Sequence, residues 1–326
     1  QHNTVVTVKG TNLFGGGSKV KSITLAGEAP ASIVSQNNGA VVVTLKDIAA
    51  KKGAVVITAD SGAVVVKSMK SESWAGNPAP RVHPTAAGMI NSVGLQGKGV
   101  SHWLEHELPA LIATGATVVA SIWGSSVDDY ARAASALADA PSEVVAVEVN
   151  VSCPNLEDRG SMFAHSRSAT AEAIGATAAC NRPRWAKLSP NAADLPEIAE
   201  AAHGAGAEAV VLTNTLLGMV IDVDSRRPVL GAKKGGLSGA AIHPVAVRAV
   251  YDVHEALPAI PIVGVGGTST GTDVVEFLLA GASAVEVGTA TFADPRAPRR
   301  ILAEFEKWCE RHGVEAVTEL IGGAHD

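Results

Sequence analysis

Val147-Glu148-Val149-Asn150-Val151-Ser152-Cys153-Pro154-Asn155-Leu156 decides how this chain is read. A β-branched apolar run ends in polar side chains, and Pro154, with no amide hydrogen to give a ladder, stops the strand. Asn150, Ser152, Cys153 and Asn155 are thereby crowded at the end of one buried strand. Side-chain amides read a planar polar ring through paired donors and acceptors. A thiol beside them acts as a base once its pKa is lowered.

Apolar runs of the same kind recur on both sides: Ala63–Val66, Thr117–Trp123, Val144–Ser152 around the stretch itself, Trp185–Leu188, Ala209–Thr213, Ile260–Val265 and Ala284–Val287. Alanine-rich segments of helical period separate them, among them Val127–Ala138, Asp194–Ala205, Pro244–Ala256 and Asp273–Ala280. Strands alternating with helices give a parallel sheet with crossovers. Their continuous apolar character points to an α/β fold closed as a (β/α)8 TIM-type barrel rather than to an open doubly wound sheet. An eighth strand is expected, and none is found after Ala63.

Residues 1–61 have a different texture, so the barrel domain is assigned to 62–326. Short β-branched runs (Thr4–Val8, Ser22–Leu25, Ala40–Leu45, Ala54–Thr58) alternate with turns such as Gly15-Gly16-Gly17 and Asn37-Asn38-Gly39. That spacing predicts a small antiparallel β module.

Composition narrows the classes of function. With 326 residues, 47% of them hydrophobic, the chain can bury a large core. A net charge of −6 argues against nucleic acid or an anionic membrane surface as the main partner. The three cysteines, Cys153, Cys180 and Cys309, contain no CxxC pair, which excludes a disulfide scaffold and a four-cysteine metal or cluster site within this chain. A reducing, cytoplasmic setting is the simplest reading. No apolar run is long enough for a membrane helix. No signal peptide is read, and a chain beginning at Gln1 reads as a processed or trimmed product.

In a barrel of this kind chemistry collects at the carboxyl ends of the strands. Those ends read Lys67-Ser68, Gly124-Ser125, Asn150 to Asn155, Lys187, Thr213-Asn214-Thr215, Gly264 to Gly267 and Gly288-Thr289. Core packing does not require polar or glycine residues at almost every end. The phosphate site of such barrels commonly follows strands seven and eight. The amides of Gly266, Gly267, Gly288 and Thr289 can approach a phosphate because glycine has no Cβ. Either glycine run alone also suits a tight turn, but at neighbouring strand ends they read together as an anion site. Lys187, on an apolar strand, is costly without a partner. His102 and His106, four apart on a helical segment, have no third metal ligand nearby and read as a solvated face. Cys180 and Cys309 read as unreactive residues in helical, polar surroundings.

Residues 62–320 resemble the dihydroorotate dehydrogenases. The likeness is carried by Lys67-Ser68, Gly76-Asn77-Pro78-x-Pro80-Arg81, Gly88-Met89-x-Asn91-Ser92-x-Gly94-Leu95 and Asn150-x-Ser152-Cys153-Pro154-Asn155. It continues through Lys187-Leu188-Ser189-Pro190-Asn191, Thr213 to Gly218, Gly235 to Gly239 and Gly281 to Val285. Cys153 stands where the soluble class 1 enzymes carry their catalytic base, and Ser161-Met162-Phe163-Ala164 is most similar to class 1B. The resemblance implies FMN across the barrel mouth, held by Lys67, Ser68, Asn91, Asn150, Lys187 and Gly239, with its phosphate at Gly266, Gly267, Gly288 and Thr289. It implies that Cys153 takes a proton from C5 of dihydroorotate while a hydride leaves C6, giving orotate for pyrimidine biosynthesis. Lys187 would face the flavin N1–O2 edge and Lys67 the substrate carboxylate. Asn91, Asn150, Asn155 and Asn214 would ring the pyrimidine, with Met89, Gly94, Leu95 and Thr215 completing the substrate site. A separate iron–sulfur subunit linked to NAD is the implied electron partner, within a homodimer or hetero-oligomer. A lone cysteine at a strand end is more often packed than reactive; between two asparagines in this motif, the reactive reading prevails.

The resemblance departs at the amino terminus. Family members begin with a first barrel strand, its helix and a small flavin-touching loop, and nothing before Ala63 matches them. Instead, Val5 to Leu13 and Ser22 to Gly27 resemble immunoglobulin-like IPT/TIG repeats. Either Ala54–Asp60 or Ala40–Leu45 stands in for the absent strand, or the barrel is open. Two other readings are therefore carried: a catalytically impaired fusion with a β binding module, and a related dihydropyrimidine dehydrogenase-like flavoenzyme.

Overall fold

The computed structural model describes residues 63–152 and 163–325 in full and, of residues 1–62, the backbone of five strands. Seven strands form one parallel sheet: β1 (Ala63–Val65), β2 (Thr117–Ile122), β3 (Val144–Asn150), β4 (Arg184–Lys187), β5 (Ala209–Leu212), β6 (Ile262–Val265) and β7 (Ala284–Glu286). Their spatial order is their chain order, each paired in parallel with the next. Every one lies within two residues of its predicted bounds.

The sheet sorts its side chains by alternation. Ala120 and Ile122 of β2, Val147 and Val149 of β3, Ala186 of β4 and Val210 and Leu212 of β5 join one apolar core with the surrounding helices. The intervening positions carry Ser121, Glu148 and Lys187, which meet on the opposite, inner face. Polar groups on the inner face of a barrel sheet survive burial only when bonded to one another.

The helices that follow are α1 (Val127–Ala136), α2 (Arg167–Ala176), α3 (Leu195–Gly204), α4 (His243–Ala256), α5 (Gly271–Leu279) and α6 (Ala297–His312). Their starts are written in side-chain chemistry. Ser126 Oγ accepts from the Asp129 amide at 3.2 Å, Asp194 from that of Glu197 at 3.1 Å, and Thr270 forms a reciprocal capping box with Asp273. A further helical stretch, 100–112, contains one π turn at Trp103–Glu107 and connects β1 to β2.

Neither proposed stand-in enters the barrel sheet. Ala40–Thr44 pairs antiparallel with Val5–Lys9 and Ser32–Asn37, and Val55–Ala59 pairs antiparallel with Val20–Leu25. Topology explains the second case. Residues 60–62 alone join Val55–Ala59 to β1, whereas a parallel neighbour needs a crossover of a dozen residues or more. Among the described residues β1 and β7 each keep one unpaired edge.

A second sheet, not foreseen from the sequence, lies at the carboxyl ends. Leu216–Gly218, Gly235–Ser238, Gly88–Asn91 and Val82–Thr85 lie side by side in that order, all antiparallel. They come from the segments that follow β5 and β1, so two distant parts of the chain build the lid of the mouth.

Candidate active site

The floor of the mouth is a connected hydrogen-bond network across four strand ends. Ser68, past β1, lies 2.8 Å from Ser121 of β2, whose hydroxyl donates to Glu148 Oε1 at 2.7 Å. Asn150, ending β3, donates through Nδ2 to Ser68 Oγ at 2.9 Å. Its Oδ1 accepts from the Ser152 amide at 3.2 Å and hydroxyl at 3.1 Å, and from Asn214 Nδ2 at 3.3 Å. Asn214 also donates to Ser152 Oγ at 2.9 Å and accepts from the Thr215 amide at 2.7 Å. Tyr130 of α1 fixes the strand end itself by donating to the Asn150 carbonyl at 2.9 Å. A network in which each member is bonded holds its amides in one orientation, as a rigid recognition surface requires.

Lys187 is the cation of this floor. Its Nζ lies 3.0 Å from Glu148 Oε2 and 3.4 Å from Glu286 Oε2. Burial opposes the lysine's charge, but the two carboxylates outweigh it and hold its pKa above the ordinary lysine range. Burial pushes the Glu286 carboxyl up, with Lys187 opposing and Glu148 adding repulsion. Lys187 therefore stays charged at neutral pH and answers the cost that a lone internal lysine would carry.

The lid and the glycine turns complete the rim. Asn91 Nδ2 donates to the Gly236 carbonyl at 3.4 Å, and Gly236 packs so closely on Thr215 that a Cβ there would collide with the threonine. Ser238 Oγ donates to the Met89 carbonyl at 3.5 Å and accepts from Thr289 Oγ1 at 2.8 Å, tying lid to β7. Gly267 has φ 76°, and a Cβ on it would press on Gly239 O at 2.8 Å and on His243 N at 2.9 Å. Only glycine fits there. Over Gly288 no described atom lies within 4 Å of where a Cβ would be. The turn beside the first residues of α4, with open space at Gly288, presents glycine amides of the kind that suit a phosphate. His243 braces it, with Nδ1 donating to the Gly266 carbonyl at 3.0 Å and Nε2 lying 3.1 Å from Glu276.

The structure thus brings together Ser68, Asn150, Lys187, Asn214 and Thr215 on the floor, Met89 and Asn91 in the lid, and Gly239, Gly266, Gly267, Gly288 and Thr289 at the turns. Lys67 and Ser68 border a cleft of about 660 Å³ walled by Met69, Trp74, Gln96 and Trp103. Gly94 (φ 72°) and Leu95 (φ 57°) form a tight turn, with Leu95 packed on Trp123. Cys153 and Asn155 lie outside the described residues. Sequence reasoning missed Ser121, Glu148, Glu286 and His243. Glu148 carried a usable signal, because an acid inside an apolar strand needs a cation as surely as Lys187 needs an anion. Cys180 lies in the apolar core and not in polar surroundings, and burial pushes its thiol up. His102 and His106 stack at 4.3 Å, and the described residues contain no group of three metal-ligating side chains.

An isoalloxazine-binding group fits this arrangement on the structure's own terms: a lysine charge in a ring of fixed amides, with a glycine cradle on one side. The fold is a (β/α) barrel, with the candidate site at the carboxyl ends of its strands. The dihydroorotate dehydrogenase family model matches residues 47–308, beginning ahead of the change in texture at residue 62. A dihydroorotate dehydrogenase B (NAD(+)) catalytic subunit of Desulforudis audaxviator is 47% identical over 265 residues, 81% of this chain and 86% of that protein. One from Desulforamulus reducens is 44% identical over 265 residues, with the same coverage of 81% and 86%. A dihydroorotate dehydrogenase structure from Eimeria tenella superposes with a TM-score of 0.66 at 22% identity, over 79% of this chain and 77% of that one, and shares the fold. The chain belongs to the dihydroorotate dehydrogenase family, and its members are oxidoreductases.

Proposed function

We propose that this protein oxidises dihydroorotate to orotate in pyrimidine biosynthesis, with FMN as its cofactor and Cys153 as general base. The observation that carries the reading is the bonded floor of Ser68, Asn150, Asn214 and Lys187 beside the Gly239–Gly267 turns, in a chain of this family. FMN, when bound, supplies the acceptor for the hydride that leaves C6. Cys153 removes the proton from C5. A thiol with a pKa of about 8.5 is a mediocre base at neutral pH, so the site must favour the thiolate or pass the proton on. Asn91, Asn150, Asn155 and Asn214 hold the uncharged pyrimidine through paired donors and acceptors. Met89, Gly94, Leu95 and Thr215 shape the same pocket, and Lys67 pairs with the substrate carboxylate. Lys187 supplies positive charge on the side where negative charge grows. Gly266, Gly267, Gly288 and Thr289 cradle the FMN phosphate, with Gly239 alongside, and Ser68 contacts the cofactor from the floor.

The names of the relatives, catalytic subunits of an NAD(+) enzyme, support an electron-transfer subunit as partner. No described helix is long and apolar enough to cross a membrane. The antiparallel pairings of Val5–Lys9 through Val55–Ala59 support a separate β module ahead of the barrel. The unpaired edges of β1 and β7 favour weakened FMN retention as the second reading.

An absorbance spectrum tests both. Yellow protein bleached by dihydroorotate is the expected result, and colourless protein that gains nothing from added FMN supports the impaired fusion. Cys153→Ser is expected to slow flavin reduction by orders of magnitude at neutral pH while FMN stays bound. An unchanged rate rejects the thiol as base.

A further inference from the structure

The mechanism above uses Lys187 and leaves Glu286 without a task. Glu286 ends β7, 17% exposed, with Oε2 3.4 Å from Lys187 Nζ and Oε1 closed to solvent without a hydrogen-bond partner among the described residues. A buried carboxylate oxygen with no donor is costly, and a protonated carboxyl removes most of that cost. Lys187 does not need Glu286 for neutralisation, since Glu148 already lies nearer, at 3.0 Å, and is almost fully buried.

We propose that Glu286 is a positioning residue that sets how much of the Lys187 charge reaches the cofactor, being protonated at low pH and ionised at higher pH. Protonated, it leaves the lysine opposed by one carboxylate; ionised, it makes the cluster of Lys187, Glu148 and Glu286 net negative. The reaction site then binds reduced, anionic flavin less tightly as pH rises. Lys187 on β4 and Glu148 on β3 are the charged groups facing it. The adjoining strand β6 has no titratable side chain, and on α5 Asp273 is bonded to Ser269 and Thr270 while Glu276 faces His243. The direction of the Glu286 shift, upward through burial, agrees with this geometry. The inference rests on FMN lying over Lys187, so its test has one arm that needs no flavin.

In the flavin-free protein, infrared difference spectra between pH 5 and pH 8 are expected to show a carboxylic C=O band lost from the wild type and absent from the difference spectrum of Glu286→Gln. In the FMN-loaded protein, the midpoint potential is followed across the same range. At pH 8 Glu286→Gln is expected to favour reduced over oxidised FMN about tenfold more than wild type, about 30 mV for a two-electron couple, with the gap closing at pH 5. Glu148→Gln removes the like charge and is expected to move the wild-type breakpoint to lower pH, which serves if Glu286→Gln fails to fold. Parallel potential–pH lines for wild type and variants, or an infrared band that persists in Glu286→Gln, overturn the proposal. Failure of the wild type to bind FMN, with the infrared band present, rejects the cofactor reading and leaves the titration of Glu286 standing.

Discussion

Two largely enclosed lysines lie at or beyond strand ends of this barrel, each between two carboxylates, and they teach different lessons. Lys187 sits on the inner floor with Glu148 and Glu286, at 3.0 and 3.4 Å, between two carboxylates that are both far more enclosed than Glu72. Lys70 sits at the rim with Glu72 at 2.8 Å and Asp129 at 3.4 Å, its Nζ 4.9 Å from the Trp74 ring and 5.7 Å from that of Trp123. Half of the Glu72 side chain is open to solvent, and Asp129 is also bound by Arg132 and by Ser125. Lys70 can therefore lose a partner to water more readily than Lys187. The same residue type bridges an exposed and an enclosed carboxylate in one place and two enclosed carboxylates in the other.

Removing each cation separates the two roles. Lys187→Met leaves two carboxylates facing each other in the barrel, and the expected loss is roughly 3–5 kcal/mol of unfolding free energy in urea titrations, together with loss of activity. A loss as small as that at the rim would place Lys187 in a wetter site than its contacts indicate. Lys70→Met keeps the apolar packing against the two tryptophans, and Glu72 rehydrates. A loss of about 1–2 kcal/mol is expected by the same measurement, with substrate turnover largely kept.

The smallest effect is a pH dependence. Burial pushes the Asp129 carboxyl up, but the Ser125 hydroxyl and amide and Lys70 outweigh it, so its pKa lies below the ordinary value. A carboxylate with a lowered folded pKa contributes stability above its unfolded pKa, about 3.9, and loses it as pH falls through the folded value. Asp129→Asn is expected to cost about 1 kcal/mol at pH 7, and the gap to wild type should narrow below pH 4. A gap that is constant with pH would show that Asp129 acts through packing and not through charge.

The barrel was largely legible. The seven strands are short, mostly apolar segments separated by helical ones, and that alternation of a parallel sheet with its crossovers is what the sequence displays. The helical segments were legible from their period, but the caps at Ser126 and Thr270 were not read, and the helix expected from Asp273 starts at Gly271. The lid was not legible. Gly88–Asn91 and Gly235–Ser238 are short and glycine-bearing, and neither reads as a strand until the other is beside it. The site was readable where a residue's chemistry was conspicuous, as at Asn150, Lys187 and the Gly266-Gly267 turn. Glu286 was hidden because its meaning depends on a lysine three strands away, in β4, that spacing along the chain does not bring near. The absence of an eighth parallel strand, expected from the sequence, holds among the described residues. The proposed replacement at Val55–Ala59 failed on chain length, a constraint the sequence already contained.

The lid also fixes when the protein becomes competent. Asn91 and Gly236, bonded across it, are 145 positions apart, so this contact is among those whose loop-closure entropy is met late. On the ribosome the first half of the barrel is made long before Gly235–Ser238 emerges to roof it. A nascent chain has its lysines and amides early, but it has nowhere to keep a cofactor until the second half arrives.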